Sequence, residues 1–443
     1  MSRSAIPTGK RAAYQAYKPS GVAWLGEVPE HWEVRRFKHT ADLINVKVDG
    51  ADNNLPYTGL EHIESWTGRR ITANGNGTSD GQANIYHRGD VLFGKLRPYL
   101  AKAHAAESDG ICTGELLVLR PRAVAQEFLL NYVLNQDFVS IVDSSTYGAK
   151  MPRANWDFIG NLPALIPPSD EQRAIAAFLD RETVRIDALI EKKRRQIELL
   201  QEKRSTLIGN AVTKGLHPNV SMKDSGIEWL GEIPSHWKAL PLKRVCQLTG
   251  RIGFRGYSTE DIVDEHEGAI SLSPSNMVDG KVALHRCTYL SWEKYFESPE
   301  IMVAESDILL VKTGSTYGKV SYVDRIDYPQ TINPQIMIMK TNSMTAKFVF
   351  YVCNCPSIQG ILRLLNTGST IPTMTQEAVG SLCIPLPSDS EQREIVKFLD
   401  KQLGHQDEVV ERIDKSIIQL REFRAAMISA AVTGKIDVRA EAN

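Results

Sequence analysis

One segment of this 443-residue chain occurs twice, and the repeat constrains the fold more than any other feature. Residues 21–32 read GVAWLGEVPEHW and residues 226–237 read GIEWLGEIPSHW, an offset of 205 positions. EQRAIAAFLD at 171–180 returns as EQREIVKFLD at 391–400, where the offset is 220. Because the offset changes, the segments between the repeats differ in length. The chain therefore consists of two copies of one module, each with a fixed opening (21–32 and 226–237), a variable body and a fixed ending, and not of a many-unit solenoid.

The two bodies retain a few common positions although their sequences have diverged. Asp90-Val91-Leu92 and Lys95 align with Asp307-Ile308-Leu309 and Lys312, and Gly148 and Pro152 align with Gly368 and Pro372. Short runs rich in β-branched residues predict strands at 90–93, 116–119, 307–311 and 336–339. Apolar spacing predicts helices at 126–143 and 346–365. We therefore expect two mixed α/β domains of one fold with different surfaces.

The fixed endings have the pattern of long helices. Ser169 with Gln172, and Ser388 with Glu391, have the spacing of capping boxes, and Gly215 and Gly434 are suitable helix stops. About 40 residues at 1.5 Å each would make helices of roughly 60 Å. Residues at alternating steps of three and four predict an antiparallel coiled coil, in which the polar positions fix the register. The predicted seam comprises Ile186, Ile190, Lys193, Ile197, Leu200, Arg204, Leu207, Val410, Ile413, Ile417, Leu420, Arg424 and Met427, with Gln406 as a further polar position.

The predicted fold class is therefore α/β (α+β), with two mixed domains joined by two long helices in a pseudo-two-fold internal repeat. The predicted boundaries are an N-terminal tail at 1–20, a first domain at 21–168, a helix at 169–214, a linker at 215–225, a second domain at 226–387, a helix at 388–434 and a C-terminal tail at 435–443.

Composition restricts the class of protein further. Lys and Arg number 52 against 53 Asp and Glu, so any surface for a polyanion must be a local patch. The six cysteines are scattered without CxxC spacing, which is typical of reduced thiols in a cytoplasmic protein. No apolar stretch approaches the ~20 residues of a membrane span, and the polar start has no secretory core. We expect a cytoplasmic protein without a membrane partner.

The repeated motifs resemble one family over nearly the whole chain. WLGEVPEHW and WLGEIPSHW, the EQR helix starts, and the AVTKGL and AVTGKI endings look like those of the specificity subunit of type I restriction-modification systems. Further phrases agree: YTGLEHIESWTGRR at 57–70, GDVLFGKLRPYL at 89–100 and GRIGFRGY at 250–257.

The resemblance implies that each body is a target recognition domain, which reads one half of a bipartite double-stranded DNA site while the helices set the unread spacer. It also implies a non-catalytic chain. Two methyltransferase subunits and two restriction/translocase subunits would be its partners, and S-adenosylmethionine, ATP and Mg would bind to those partners with no cofactor in this chain. The outer helix faces and the endings 211–216 and 431–436 are the docking surface that the resemblance implies.

Base and phosphate recognition requires cationic and polar side chains on loops. The predicted DNA-binding residues are Arg69, Arg70, Lys95, Arg97, Arg251, Arg255, Lys312, Thr313, Ser315 and Lys319. The alternative for each is a solvated surface charge, and Lys95 and Lys312 are favoured because the two copies agree there. For the basic run 192–195 a solvated helix face is preferred over phosphate contact. Core packing is preferred over partner docking for Trp24, Trp32, Trp229 and Trp237.

Two other classes of protein remain as alternatives. A self-contained methyltransferase would use Asn333-Pro334-Gln335-Ile336, but this segment lacks the aromatic residue that ends the methyltransferase motif. An NTPase would use Gly314–Lys319 as a phosphate loop, but this segment has one residue too few between its glycines, and Val320 stands where a Ser or Thr belongs. A coiled-coil scaffold without a DNA role would need only the seams. Cys353 and Cys355 lack a histidine cluster, so we predict no metal site.

Overall fold

The computed structural model describes residues 12–50, 55–71, 81–148, 150–251, 256–341, 346–368 and 370–441. These residues form two compact units. Unit 1 comprises Met1–Arg194 with Ile413–Asn443, and unit 2 comprises Arg195–Arg412. Each unit therefore contains one opening, one body, the start of one long helix and the end of the other.

The strands of unit 1 are short and mostly antiparallel. They are β1 (Tyr17–Pro19), β2 (Glu27–Pro29), β3 (Glu33–Arg36), β4 (Ala41–Ile44), β5 (Lys47–Asp49), β6 (Tyr57–Thr58), β7 (Gln82–Tyr86), β8 (Val91–Gly94), β9 (Ala103–Ala105), β10 (Gly110–Thr113), β11 (Leu116–Pro121) and β12 (Pro163–Ile166). The central sheet has the order β4-β11-β8-β9, and a second sheet has the order β5-β7-β10-β6. The buried side chains of β8 and β11 form the core between these sheets and the helices.

The helices of unit 1 cover the central sheet and lead into the first long helix. They are α1 (Gln126–Val133), α2 (Gln136–Ser144), α3 (Trp156–Asn161) and α4 (Ser169–Lys214). The single helix predicted over 126–143 is wrong, because the structure has two. Asn135 is extended between them, and its side chain accepts a hydrogen bond from the Asp137 amide at 3.0 Å. Such an N-cap competes with a continuous helix.

Unit 2 repeats this plan with additional strands. Its strands are β13 (Met222–Asp224), β14 (Glu232–Pro234), β15 (Lys238–Pro241), β16 (Cys246–Gly250), β17 (Ile262–Val263), β18 (Gly268–Leu272), β19 (Met277–Val278), β20 (Lys281–Val282), β21 (Thr288–Ser291), β22 (Ile308–Val311), β23 (Val320–Tyr322), β24 (Gln330–Ile332), β25 (Ile336–Thr341) and β26 (Cys383–Leu386). The central order β16-β25-β22-β23 matches β4-β11-β8-β9, and β20 and β19 extend it. The second sheet has the order β17-β21-β18-β24.

The helices of unit 2 show the same departure from the prediction. They are α5 (Trp292–Phe296), α6 (Ala346–Asn354), α7 (Pro356–Leu364), α8 (Gln376–Gly380) and α9 (Asp389–Val432). The helix predicted over 346–365 is again two, since Pro356 stands at the start of α7. A proline at the first helical position starts a helix and cannot continue the preceding one.

The opening of unit 1 is attached to the first turn of α4 through Glu171. The buried Glu171 carboxylate accepts a hydrogen bond from the Trp32 indole N–H at 2.8 Å, and His31 Nε2 lies 2.7 Å from its other oxygen. Arg439, beyond the end of α9, lies 3.4 Å from the same carboxylate. A carboxylate is tolerated at a buried position only with such partners. The opening, the start of α4 and the C-terminal segment are therefore fixed to one another.

Unit 2 repeats this attachment at Glu391. The Trp237 indole donates to Glu391 Oε1 at 3.2 Å, and His236 Nε2 lies 2.8 Å from the same oxygen. Ser388 and Glu391 also bond to each other as a capping box. Burial acts to raise the pKa of Glu391, but the hydrogen bonds from His236, Ser388 and Trp237 outweigh it and lower the pKa from 4.5 to about 2.

The capping box predicted at Ser169 and Gln172 is wrong. Helix α4 begins at Ser169 itself, and the Gln172 side chain donates to the Pro167 carbonyl at 2.8 Å. Gln392, 220 positions later, donates to the Pro387 carbonyl in the same way at 3.0 Å. The repeated glutamine therefore stabilises the loop before each helix, while the preceding glutamate binds the opening.

The long helices run antiparallel within each unit. In unit 1 Arg424 Nε lies 3.1 Å from Asp187 Oδ1, and in unit 2 Arg204 pairs with Asp407. His217, just beyond α4, lies 3.8 Å from Glu394 near the start of α9. At 46 and 44 residues, α4 and α9 are each roughly 70 Å long.

The predicted seam positions are all buried or half-buried. Ile186, Ile190, Ile417, Arg424 and Met427 are buried. The remaining positions are half-buried: Lys193, Ile197, Leu200, Arg204, Leu207, Val410, Ile413 and Leu420. The polar pairs at Arg204 and Arg424 set which turns of the two helices lie opposite each other within each unit.

Both long helices end at a glycine in the left-handed region. Gly215 has φ +74° and Gly434 has φ +71°. A Cβ on Gly434 would lie 2.4 Å from Pro29 and 3.2 Å from Trp32, and one on Gly215 would lie 3.2 Å from Trp237. Glycine is thus required both by the backbone angle and by the close approach of the opening.

None of the helices in the described ranges is both long enough and apolar enough to cross a membrane.

We predict that Glu391→Gln lowers the free energy of unfolding by about 2 kcal/mol near neutral pH, because the amide loses a charged acceptor of several hydrogen bonds. The folded pKa of about 2 lies below the ordinary 4.5. The stabilisation is therefore present above pH 4.5 and is lost as the pH falls toward 2. Denaturant unfolding of both proteins over this pH range measures the difference.

The matched control is Glu394→Gln, at an exposed carboxylate on the same helix. It should change the free energy of unfolding by less than ~0.5 kcal/mol. A difference between wild type and Glu391→Gln that stayed constant from pH 7 to pH 2 would contradict the assignment.

Candidate nucleic-acid interface

Lys95 and Lys312 occupy equivalent places at the ends of the central strands β8 and β22. The Lys95 amide donates to the Glu115 carbonyl at 3.0 Å, and its carbonyl accepts from Ala154 at 2.9 Å. The Lys312 amide donates to the Gln335 carbonyl at 2.8 Å, and its carbonyl accepts from Met374 at 2.9 Å. The alignment of the two sequences therefore corresponds to the same backbone hydrogen bonds in both bodies.

Both lysine side chains are half-buried. Burial lowers the pKa of the Lys312 ammonium. Among the residues that the structure describes, no carboxylate lies within ion-pair distance of Lys95 or Lys312. A half-buried cation without an internal partner favours an anionic partner from outside the chain.

A pair of adjoining loops surrounds each lysine. We define loop pair 1 as residues 95–97 with 147–153, and loop pair 2 as residues 312–315 with 367–373, except residues 149 and 369. Leu96 bridges Arg153 in the first pair, and Thr313 bridges Thr373 in the second. The prolines that the two copies share accept corresponding hydrogen bonds, from the Arg97 amide to Pro152 at 2.8 Å and from the Gly314 amide to Pro372 at 3.1 Å.

The loop pairs differ in the side chains that they present. Loop pair 1 exposes Arg97, Tyr147 and Met151, and loop pair 2 exposes Ser315 and Ile371. Arg97 has φ +50°, an unusual backbone angle for an arginine, at the point where the loop turns outward. The same scaffold thus carries two different surfaces.

Arg69 and Arg70 belong to a different feature of unit 1. They line a groove with Gly68, Tyr86, His104 and residues 106–108. Arg70 donates to the Tyr57 carbonyl at 3.1 Å, and Arg69 Nη2 lies 2.9 Å from Asp187 Oδ2 on α4. Both arginines remain exposed.

The predicted residues of unit 2 fall into three groups. Lys312, Thr313, Ser315 and Lys319 lie together on the hairpin between β22 and β23, where Lys319 donates to the Pro274 carbonyl at 3.4 Å. Arg255 lies outside the described residues. Arg251 is buried, contrary to the expected surface contact.

The partners of Arg251 explain its burial. Its guanidinium donates to the Ile332 carbonyl at 3.1 Å and to the Thr331 hydroxyl at 3.2 Å. Burial lowers the pKa of this guanidinium, and the Tyr257 ring lies 5.5 Å from it. Arg251 therefore stabilises the interior beside β24 and does not present its donors to a surface.

Helix α4 carries the basic run 192–195, whose arginines have local partners. Arg194 lies 3.5 Å from Glu191, and Arg195 lies 2.6 Å from Glu198. Such exposed pairs at helical spacing agree with the preferred interpretation of a solvated face.

The motifs of the enzyme alternatives have other roles in the structure. Gly314–Lys319 is the turn of a hairpin between two strands, with no helix after it, whereas a phosphate loop leads into a helix. The Asn333 carboxamide accepts from the Gln335 amide at 3.0 Å, closing a local turn. Neither motif has the geometry of a nucleotide or base pocket.

The two neighbouring cysteines of unit 2 have the surroundings of core thiols. Cys353 and Cys355 are buried, and burial raises the pKa of both thiols. Within the described ranges, no group of three or more His, Cys, Asp or Glu side chains is arranged to hold a metal ion.

Sequence reasoning placed Glu391 in a capping box, but it missed the long-range contacts of four carboxylates that organise both units. Glu171 and Glu391 bind the openings, and Asp187 and Asp407 pair with the seam arginines. Each pair of carboxylates is separated by 220 positions, as the EQR segments are. Extending that offset along the helices matches Asp187 with Asp407 and Arg204 with Arg424 as equivalent positions, although it does not show which residues pair.

Comparisons with known proteins agree with this architecture. Residues 292–418 match the family model of the type I restriction modification DNA specificity domain. The chain is 24% identical to the type I restriction enzyme MjaVIII specificity subunit of Methanocaldococcus jannaschii, over 93% of this chain and 94% of that protein. It is 25% identical to the putative MjaX specificity subunit of the same organism, over 94% and 96%. It is 29% identical to the EcoDI specificity subunit of Escherichia coli, over 34% of each chain.

The fold has a solved counterpart. A chain from a structure of the type I R-M system, described in terms of complex assembly and conformational transition, superposes with a TM-score of 0.70 at 17% identity. The match covers 91% of this chain and 98% of that one. The relatives are named as specificity subunits, which agrees with the prediction of a non-catalytic chain. The chain has two similar units with divergent loops, and over nearly its whole length it is similar to type I restriction enzyme specificity subunits.

Proposed function

We propose that this chain selects the DNA sequence on which a type I restriction-modification complex acts. Body 1 (33–168) and body 2 (238–387) would each read one half of a bipartite site in double-stranded DNA. The observation that carries the proposal is the equivalence of loop pairs 1 and 2. Their backbone hydrogen bonds are the same around Lys95 and Lys312, whereas the exposed side chains differ.

The chemistry of the loop pairs suits a duplex. A half-buried ammonium binds a phosphate and fixes register, while Arg97, Thr313 and Ser315 have donors that suit base edges or phosphates. Because the exposed side chains of the two loop pairs differ, the predicted site is asymmetric. In this proposal Arg69, Arg70 and Lys319 extend the contact surface, and Arg251 supports it from the interior.

The long helices are the proposed ruler for the unread spacer. Each contributes residues to both units, and each is continuous over 44 residues or more. A continuous helix transmits a fixed rise of 1.5 Å per residue. Two readers on such a frame would recognise half-sites at a defined separation along the DNA.

Catalysis would belong to partner subunits. We propose two methyltransferase and two restriction/translocase subunits, docked on the outer helix faces and the endings 211–216 and 431–436. S-adenosylmethionine, ATP and Mg would bind to those partners. The complex would then methylate or cleave DNA at sites chosen by this chain in the cytoplasm.

The central experiment is co-expression of this chain with its cognate methyltransferase in a host that lacks other DNA methylation. Genome-wide mapping of modified bases should reveal one split, asymmetric motif with a fixed gap. Exchanging residues 33–168 for another body should change one half of that motif and leave the other half intact. Methylation without a sequence preference would refute the proposal.

Alanine substitution of either of the two equivalent lysines should weaken DNA binding, because each lysine would contact the DNA at its own half-site. Lys95→Ala and Lys312→Ala should each weaken binding of the purified methyltransferase complex to a duplex by about tenfold, since a phosphate contact is lost. Arg325→Ala, at an exposed arginine paired with Asp327 and outside both loop pairs, is the control and should leave binding within about twofold. Equal binding by all three variants would remove both lysines from the interface.

The ruler can be tested by adding one heptad to the middle of each long helix. Seven residues preserve the seam and add about 10 Å, which corresponds to roughly three base pairs. The mapped gap should lengthen accordingly while both half-sites remain unchanged. Seven residues inserted near Asn219 in the linker should leave the gap as it was. An unchanged gap in the double-heptad variant would refute the ruler.

A further inference from the structure

The loop that carries Arg69 has a strained backbone. Over residues 64–70, the Arg69 loop, Trp66 has φ +67° and Gly68 has φ +78°. A positive φ is ordinary for glycine but unfavourable for a tryptophan. The loop is closed by a hydrogen bond from the Glu64 amide to the Arg69 carbonyl at 3.0 Å. Such a conformation persists only when surrounding groups restrain it.

Arg424 of α9 provides that restraint. This seam arginine is buried, with its side chain 10% exposed. Its guanidinium donates to the Trp66 carbonyl at 2.8 Å and to the Thr67 carbonyl at 3.4 Å. These carbonyls lie at the strained turn, so the rigid fork of the arginine favours this orientation of the peptide groups.

Asp187 of α4 connects the same arginine to Arg69. Its Oδ1 accepts from Arg424 Nε at 3.1 Å, and its Oδ2 lies 2.9 Å from Arg69 Nη2. The second contact is an ion pair without the alignment of a hydrogen bond. The Arg69 side chain remains 50% exposed. One carboxylate thus links a buried seam position to an arginine at the rim of the groove.

The equivalent pair in unit 2 differs in a way that supplies a control. Arg204 and Asp407, 220 positions from Arg424 and Asp187, also pair across the helices. Their side chains are 36% and 60% exposed. Among the described residues, Arg204 has no hydrogen bond to a backbone carbonyl. The repeat has kept the cross-helix pair in both units, and in unit 1 the arginine also holds a loop of the body.

We propose that Asp187 and Arg424 are positioning residues that hold the Arg69 loop in the conformation with which body 1 recognises DNA. The proposal rests on the proposed function for its consequence in DNA recognition, and on the contacts above for its structural part. Arg424 restrains the peptides of the turn, and Asp187 orients the Arg69 guanidinium. Base discrimination by body 1 therefore depends on two helix residues that do not touch DNA themselves.

The structural part is tested by hydrogen exchange on the full chain. Arg424→Lys retains the charge but lacks the planar fork whose separate nitrogens reach the two carbonyls and Asp187. Asp187→Asn retains the shape of the carboxylate. Both should accelerate amide exchange over 64–71 by about tenfold or more, while β8 stays protected. The matched variants Arg204→Lys and Asp407→Asn should leave exchange in the Arg69 loop unchanged. Unchanged exchange in both unit 1 variants would overturn the proposal.

The functional part is tested by mapping methylation with the cognate methyltransferase present. The half-site read by body 1 is identified as the one whose recognition changes in Arg69→Ala. Arg424→Lys and Asp187→Asn should lower base discrimination at that half-site about tenfold and should change discrimination at the other half-site by less than about twofold. Loss at both half-sites alike, or at neither, would overturn the proposal. If wild type itself yields no split motif, the proposed function fails, whereas the exchange experiment still decides the positioning role.

Discussion

A carboxylate in the first turn of each long helix holds the architecture of each unit together. Glu171 and Glu391 are drawn to helix N-termini by the partial positive charge there, and each needs further donors once the opening covers it. The indole and imidazole of the repeated His-Trp pair supply those donors. Because the opening precedes each body and the helix follows it, this contact closes every body at its base. Loops within the body can then diverge without loss of the frame.

The second constraint is the pairing of the two long helices. An apolar seam alone allows neighbouring registers, whereas a buried arginine that must face one particular aspartate allows a single one. Arg424 with Asp187 has this property, and Arg204 with Asp407 is its more exposed counterpart. In unit 1 the same arginine also holds a loop of the body. Register in the helices and orientation of the Arg69 loop are therefore connected through one side chain.

The predicted DNA-binding residues differ in how well the sequence anticipated their surroundings. Lys95 and Lys312 were singled out because they align, and the structure gives them the same backbone partners. Residues chosen only for their charge have surroundings that the sequence did not predict, since Arg251 is buried against β24 and Arg69 is paired with Asp187. A lone arginine in a sequence does not reveal whether a carbonyl or a carboxylate distant in the chain receives its donors. The capping box at Ser169 failed for the same reason, because Gln172 bonds to residues outside the helix.

The sequence by itself determined the double module, the central strands, the long helices and their glycine stops. These features depend on local periodicity, turn chemistry and an internal repeat, all of which are written in consecutive residues. The breaks within 126–143 and 346–365 are local as well, at the Asn135 cap and at Pro356. Tertiary structure alone decided that the repeated glutamates bind the openings and that Arg424 binds the Trp66 carbonyl, 358 positions away. Those outcomes depend on which buried polar groups meet, and partners so far apart in the chain are brought together only by the fold.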